Sequence, residues 1–236
     1  MRGCLFVLVV AAALIGAIAW FAAEPVVDTV VRSALEGSGV RASSLTVTAT
    51  SDPPPKLILG RADSLTIDAS DLDWRTLHAT HVQLTLDGVD LFGRTVTTIH
   101  GTIEGAEIAE DGSPDPIPVA SIALDGPADE AAVTITVERA AVRAVILAAI
   151  QREFGTGATD VQLVAPDVLR LTMPGATIEG TMVIASDGLL ALSTRLGEVT
   201  MLRVDPAIPL QLRSVSVVDG GLRFGGVLDM NGLLHG

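Results

Sequence analysis

From residue 44 onward the chain alternates apolar and polar side chains with a period of two, and no other feature restricts its fold as strongly. The run Ser44–Thr50 places Leu45, Val47 and Ala49 between serine and threonine residues. Successive side chains of an extended strand point to opposite faces, so this pattern predicts a strand with one dry and one wet face. Further runs of this kind are Asp63–Ala69, His81–Asp87, Thr95–Ile108, Val119–Leu124, Val133–Val137, Val161–Val164, Val168–Met173, Thr177–Ala185, Leu189–Leu196, Val199–Val204, Leu210–Val218 and Leu222–Leu228.

Two Asp-Gly sequences separate neighbouring runs of this pattern. Asp187-Gly188 and Asp219-Gly220-Gly221 each lie between two predicted strands. Asp-Gly pairs are typical of tight hairpin turns, and hairpins join antiparallel strands. The sequence therefore predicts a large, strongly bent antiparallel sheet.

One long segment breaks the strand pattern. Glu138–Phe154 has the composition of a helix and is followed by Gly155. Its centre, Ala144–Ile150, is apolar all round, which predicts burial on most sides. A curved sheet that encloses a single helix meets this requirement. The predicted fold is therefore α+β, with a large, strongly curved antiparallel sheet wrapped around one long helix.

The N-terminal segment is uncharged between Arg2 and Glu24. These 21 residues, at ~1.5 Å per residue, are long enough to cross a hydrocarbon core about 30 Å thick. With the positive end retained inside, residues 1–23 are predicted to be a transmembrane signal-anchor of the cytoplasmic membrane, with the rest of the chain on the extracytoplasmic side. The alternative is a cleaved signal peptide and a secreted chain, because Ala17-Ile18-Ala19 fits a cleavage site.

Residues 24–39 predict an amphipathic helix that docks on the domain formed by residues 40–236; the alternative is a helix that lies along the membrane surface. The stripe has a spacing of about 3.6 residues, and Gly37 ends it. Its apolar members are Val26, Val27, Val30, Val31, Ala34 and Leu35.

Composition and the lack of motifs exclude several classes of function. A net charge of −13 argues against nucleic-acid binding, since phosphate contacts require a basic face. Cys4 is the only cysteine, so the exported part has neither disulfides nor a catalytic thiol. The chain has no Gly-x-Ser-x-Gly, Walker or His-Glu-x-x-His motif. The sequence thus predicts a protein that is not an enzyme and binds no cofactor.

One polar cluster leaves a metal-dependent hydrolase open as an alternative. Asp68, Asp71, Asp73, His78 and His81 are close in sequence and include residue types that bind metal ions. Their alternation on a predicted strand and turn favours a solvated surface instead. No metal site is therefore predicted.

A short segment after Pro53–Pro55 is apolar between two polar ends. Lys56–Gly60 predicts either a short buried strand or a segment that closes a sheet edge or lines the mouth of a cavity.

Three groups of residues resemble the LmeA-like phospholipid-binding family of the cell envelope. The first is the proline-rich corner Pro53–Pro55 with Leu57–Arg61, and the second is the strand Ser64–Leu72 that follows it. The third is the closing hairpin, in which Ile208-Pro209-Leu210 and an alternating strand precede Asp219–Leu222. The resemblance covers roughly residues 25–230.

The resemblance implies half of a tubular lipid-binding fold and a protein that binds phospholipid, or another acyl lipid, on the outer side of the cytoplasmic membrane. Acyl chains would lie in an apolar groove between the helix and the sheet, with arginines at the head groups. The alternative is a structural or interaction module of the envelope with a filled core. The lipid-contact candidates are Leu57, Ile58, Leu59, Ile67, Leu84, Leu86, Val145, Ile146 and Ile150; the head-group candidates are Arg61, Arg75 and Arg94.

Overall fold

A computed structural model describes residues 39–74, 77–108, 116–154, 158–184, 190–194, 197–202 and 209–235. The predicted anchor and almost all of the predicted amphipathic helix lie outside these ranges. Among the described residues, no helix is both long enough and apolar enough to cross a membrane.

The described part of the chain is mostly β-structure, and each predicted run falls on a strand. The strands are β1 (Ser44–Thr50), β2 (Arg61–Trp74), β3 (Leu77–Asp90), β4 (Thr98–Ile108), β5 (Ile117–Pro127), β6 (Ala131–Glu138), β7 (Asp160–Val164), β8 (Val168–Met173), β9 (Ala176–Ile184), β10 (Leu190–Thr194), β11 (Gly197–Leu202), β12 (Leu210–Val218) and β13 (Gly221–Leu228). The helices are a 3-10 helix (Pro54–Leu59), α1 (Arg139–Phe154) and α2 (Met230–His235).

These strands form two antiparallel sheets, whereas the sequence predicted one. The first sheet has the order β1-β2-β3-β4-β5-β6-β13-β12, and the second has the order β11-β10-β9-β8-β7. Chain order explains the division, because the strands of the second sheet follow α1 and the last two strands then return to the first sheet. The hairpin predicted at Asp219-Gly220-Gly221 joins β12 to β13, while Asp187-Gly188 lies outside the described residues.

Apolar side chains cover one face of the first sheet. Two rows of cross-strand neighbours run through all eight strands and contain no polar side chain. One row is Leu45, Ala69, Val82, Ile103, Ile122, Ile135, Phe224 and Val215; the other is Val47, Ile67, Leu84, Gly101, Leu124, Val133, Gly226 and Leu212. Adjacent residues such as Thr46, Asp68 and Gln83 point to the opposite face. The prediction of one dry and one wet face is confirmed for this sheet.

A line of irregular residues crosses β2 to β5. The pairing omits Asp71, Thr80, Gly105 and Ala120, while the register on both sides of them stays the same. Asp71 and Gly105 have positive φ angles of 49° and 57°. Along a regular strand, residues that point inward are two or four positions apart in sequence. Across this line they are three positions apart, as with Ile103 and Ala106 on β4. Local irregularities of this kind bend a strand and increase its twist. We call these four residues the kink line.

The core beneath the apolar face has two ends. At the helix end, α1 packs against β5, β6, β13 and β7, and the second sheet adds Leu169, Met182 and Leu192 to the cluster around Ile146. At the tip end, Leu57 of the 3-10 helix is buried with residues of β1 to β3, and Met230 of α2 packs beside them.

Two local predictions hold only in part. Of the two alternatives for Lys56–Gly60 the short strand is wrong, because Pro54 and Pro55 favour the first turn of a helix and Gly60 ends it at a φ of 72°. In the centre of α1, Ile146 and Ile150 are buried and Val145 and Leu147 are half-buried, but Ala144 is exposed. The helical segment looks apolar all round because of its alanines, and alanine is small enough to be exposed at little cost.

Candidate functional site

Five branched aliphatic side chains form a partly open strip across the middle of the apolar face. The central strip consists of Ile67, Leu84, Ile103, Ile122 and Ile135, one from each of β2 to β6. Ile103, Ile122 and Ile135 are direct cross-strand neighbours, and Leu84 is paired with Ile67. All five side chains are only half-buried.

Residues on both sides of the central strip are more deeply buried. On the tip side, Ile99 and Val133 are 0% and 4% exposed. On the helix side, Ala106 and Val119 are 1% and 4% exposed. The strip therefore lies between two closed cores, where neither the helices nor the second sheet cover it completely.

The predicted lipid-contact residues fall into different environments. Ile67 and Leu84 belong to the central strip, and Leu86 lies half-buried beside it on β3. Val145 is half-buried on α1. Leu57, Ile146 and Ile150 are 2%, 3% and 3% exposed and contact other protein side chains. Leu59 is strongly exposed, and the side chain of Ile58 lies outside the described part.

At the tip end, two large apolar side chains are exposed to solvent on two segments that meet at Gly60. Phe92 is 80% exposed in the β3–β4 loop, and Leu59 is 67% exposed at the end of the 3-10 helix. A methyl group placed on Gly60 would be 2.6 Å from the ring of Phe92, so the ring lies directly over Gly60. The Leu91 N–H donates to the Gly60 carbonyl at 2.8 Å. We call Leu59, Gly60 and Phe92 the tip patch.

Asp90 holds the loop that carries Phe92. Its Oδ1 accepts hydrogen bonds from the backbone N–H groups of Gly93 at 2.8 Å and Phe92 at 3.1 Å. Its Oδ2 lies 3.4 Å from Nε of Arg61. The Gly93 N–H, with Arg61 beside it, holds the pKa of Asp90 below its usual value. The loop is thus fixed by an ionised carboxylate and presents Phe92 in a defined position.

Asp63 fixes the other half of the tip patch in the same way. Its Oδ2 accepts from the backbone N–H of Asp52 at 2.6 Å and from Oγ of Ser51 at 3.2 Å. Lys56 of the 3-10 helix lies 3.6 Å away. The Asp52 N–H lowers the pKa of Asp63, and Lys56 contributes in the same direction. A carboxylate thereby ties the start of the 3-10 helix to β2.

The three predicted head-group arginines do not form one cluster. Arg61 and Arg94 both lie at the tip end, but Arg61 is paired with Asp90. Arg94 is exposed at a φ of 51° and forms no ion pair with another described residue. Arg75 lies outside the described residues.

Sequence reasoning missed Phe92, although a signal was present. Leu91-Phe92 falls between two predicted strands, in the sequence Asp90-Leu-Phe-Gly-Arg94. Two adjacent large apolar residues are unusual in a connecting turn, because turns run over the surface. Gly60, over which the Phe92 ring lies, is far away in sequence, so no local pattern linked this loop to the 3-10 helix.

The acidic and histidine residues considered for metal binding lie mainly on β2 and β3. Nδ1 of His78 is 2.7 Å from Oδ1 of Asp73, and both side chains are exposed. His81 is the cross-strand neighbour of Ser70 and Glu104. Among the described residues, no three potential ligands are grouped closely enough to hold a metal ion.

Comparisons with known proteins found no match. No family model matches the chain, and neither the curated proteins nor the solved structures contain a significant match. The resemblance to the LmeA-like family stays a prediction.

Proposed function

We propose that this chain is a membrane-anchored, extracytoplasmic phospholipid-binding protein of the cell envelope that holds acyl chains against the central strip. The observation that carries the proposal is the incomplete burial of Ile67, Leu84, Ile103, Ile122 and Ile135 between two closed cores. Apolar side chains on five adjacent strands, drawn from the two neighbouring rows, offer an apolar surface to an extended hydrocarbon chain.

The energetics favour such a ligand. Each methylene moved from water to an apolar surface contributes about 0.8 kcal/mol, so an acyl chain needs no chemical anchor in the groove. The central strip runs across the strands, and strands are spaced ~4.8 Å apart. Five strands thus give a strip roughly 19 Å long, which is comparable to an extended acyl chain of about 16 carbons.

The same proposal includes the shape of the first sheet, which would curve strongly around α1 as in half of a tubular lipid-binding domain. The kink line supports it, since it crosses β2 to β5 in the part of the sheet next to the helix end. Bending at this line would turn the segments of β2 to β5 that lie beyond it toward the side on which α1 packs. The groove would then be bounded by the central strip and by the half-buried Val145 and Leu147 of α1.

One observation favours the alternative of a structural module with a filled core. Leu57, Ile146 and Ile150 are packed by protein side chains. If the central strip is also covered when the whole chain is folded, the protein would bind partners only through its surface.

Photo-crosslinking in vesicles tests the proposal. The full chain is reconstituted with a phospholipid that carries a diazirine near the end of one acyl chain, and cross-linked peptides are identified by mass spectrometry. We expect cross-links on β3 to β6 in addition to those on the apolar N-terminal segment. Cross-links restricted to residues 1–23 would refute the groove.

A matched pair of variants on β6 gives the control. Ile135→Trp places an indole in the central strip, whereas Thr134→Trp places it on the polar face, where Thr134 is exposed. We expect Ile135→Trp to reduce cross-linking on β3 to β6 at least about fivefold and Thr134→Trp to leave it unchanged. Equal yields from both variants, with unchanged thermal unfolding, would favour the filled-core module.

A further inference from the structure

We infer that the tip patch docks into the surface of a phospholipid membrane. Leu59 and Phe92 are the two most exposed large apolar side chains among the described residues, and the ring of Phe92 lies over Gly60, the residue that follows Leu59. This surface lies on the outside of the tip end and shares no residue with the central strip. The inference therefore does not depend on the proposed groove.

Hydrogen bonds on both sides hold the tip patch in a defined conformation. Carboxylates on both sides of it, Asp90 and Asp63, accept backbone N–H groups and hold the loop and the 3-10 helix in place. The hydrogen bond from Leu91 to the Gly60 carbonyl joins the two halves. Because the backbone of the patch is already fixed, little conformational entropy is lost when the patch binds. Burial of its apolar side chains therefore contributes to binding with little entropic cost.

Charge points to a surface that carries phosphate groups. The segments that hold the patch, residues 52–63 and 90–94, contain three basic and three acidic side chains and so carry no net charge, whereas the whole chain has a net charge of −13. Arg61 is paired with Asp90 and Lys56 with Asp63, whereas Arg94, two residues after Phe92, forms no ion pair with another described residue. Arginine pairs with phosphate in a two-pronged geometry.

The composition of the patch suits a bilayer interface better than a protein partner. Two apolar side chains and one arginine are too few for the 20–30 residues per side that a stable protein interface involves. Phenylalanine and leucine beside a cationic residue are typical of surfaces that enter the boundary between head groups and acyl chains. The tip would enter this boundary with Leu59 and Phe92, and Arg94 would bind a lipid phosphate.

The test uses the full chain reconstituted in vesicles of phosphatidylcholine and phosphatidylglycerol. Cys4, the only cysteine, is replaced by serine, and Thr95→Cys, in the same loop as Phe92, is labelled with an environment-sensitive dye. Quenching by lipids brominated on the acyl chains then reports whether the tip is in contact with the bilayer. Val164→Cys, an exposed apolar position on β7, gives the matched control for the other end of the molecule.

We expect brominated lipid to quench the dye at position 95 and not at position 164. The double variant Leu59→Ser/Phe92→Ser should lower the docking equilibrium constant at least about tenfold, since two apolar side chains no longer leave water. Arg94→Gln should lower it less, and mainly in vesicles that contain phosphatidylglycerol. Unchanged thermal unfolding would show that these exposed substitutions leave the fold intact.

Two outcomes would overturn the inference. One is a dye at position 95 that does not respond to brominated lipid, which would leave a protein as the occupant of the tip patch. The other is equal quenching with and without Leu59 and Phe92, because proximity would then come from the N-terminal segment alone. A quenched tip without acyl-chain cross-links on β3 to β6 would support the tip and refute the groove.

Discussion

The two ends of the apolar sheet face are closed by different means. At the helix end, α1 and the second sheet close the face with large side chains such as Ile146, Leu169 and Met182. At the tip end, short helices close it, and polar groups hold them to the neighbouring backbone. Asn231 of α2, for example, accepts from the Val96 N–H at 2.9 Å and donates to its carbonyl at 3.2 Å.

This difference explains why the exposed apolar side chains of the tip patch can be tolerated. A closure made of side-chain packing draws large apolar groups inward, and few are left for the surface. A closure made of directional hydrogen bonds fixes the backbone instead, so Leu59 and Phe92 can point outward without loosening the core. Stability is therefore expected to reside at the helix end and surface recognition at the tip end.

The largest expected effect comes from emptying the core at each end. Leu169→Ala removes a side chain that is 0% exposed at the helix end, and we expect a loss of about 2–5 kcal/mol in the free energy of unfolding. Leu57→Ala at the tip end should cost less, because the short 3-10 helix can open locally. Chemical denaturation measures the first effect, and hydrogen exchange restricted to residues 50–65 measures the second.

If Leu169→Ala and Leu57→Ala lowered the free energy of global unfolding equally, the two ends would not differ in their contribution to stability. Ala144→Ser on the exposed side of α1 serves as the surface control, with an expected change within about 0.5 kcal/mol.

A smaller effect is expected at glycines with positive φ angles, which occur at both ends. Gly105 at the helix end and Gly88 at the tip end have φ angles of 57° and 61°. A methyl group on either one would fall inside van der Waals contact of a threonine hydroxyl, Thr80 for Gly105 and Thr97 for Gly88. We expect Gly105→Ala to cost about 1–3 kcal/mol in thermal or chemical unfolding, since both the backbone angle and the clash are unfavourable.

Gly220→Ala is the control for this glycine, because nothing lies within 4 Å of its added methyl group. Adding Thr80→Ala to Gly105→Ala should recover the part of the loss that comes from the clash. A Gly105→Ala protein as stable as the Gly220→Ala protein would show that the kink line adapts without strain.

The smallest expected effect is a pH dependence at the helix end. The hydrogen bond to Asp73 raises the pKa of His78 above its usual 6.5. Since the folded pKa is higher than the unfolded one, this contribution to stability is fully present below about pH 6.5 and is lost as the pH rises through the folded value. An NMR titration of the His78 ring should give a midpoint above 6.5, and Asp73→Asn should lower it.

A midpoint at 6.5 in the unmodified chain, or one that Asp73→Asn does not move, would contradict this pairing. Because both side chains are exposed, the net effect on unfolding is expected to be small.

Much of the fold follows from local sequence patterns, and the candidate sites follow only in part. The alternation at Ser44–Thr50 and the Asp219-Gly220 turn predicted β1 and the β12–β13 hairpin correctly, because both depend on neighbours in sequence. Leu59, Arg61 and Arg94 were candidates from the sequence, but Phe92 was not. The 3-10 helix that begins at Pro54 was not predicted from the triple proline, since proline's fixed φ also suits an extended chain.

The sequence by itself determined where the strands and the long helix lie and which face of each strand is apolar, because a period of two is a property of neighbouring residues. Only the tertiary structure decided that the strands form two sheets, that the middle of the apolar face stays partly open and that the ring of Phe92 lies over Gly60, next to Leu59 in the chain. These arrangements depend on register and on pairing between distant segments. A residue on the dry face of a strand carries no local signal of which element will cover it, or whether one will.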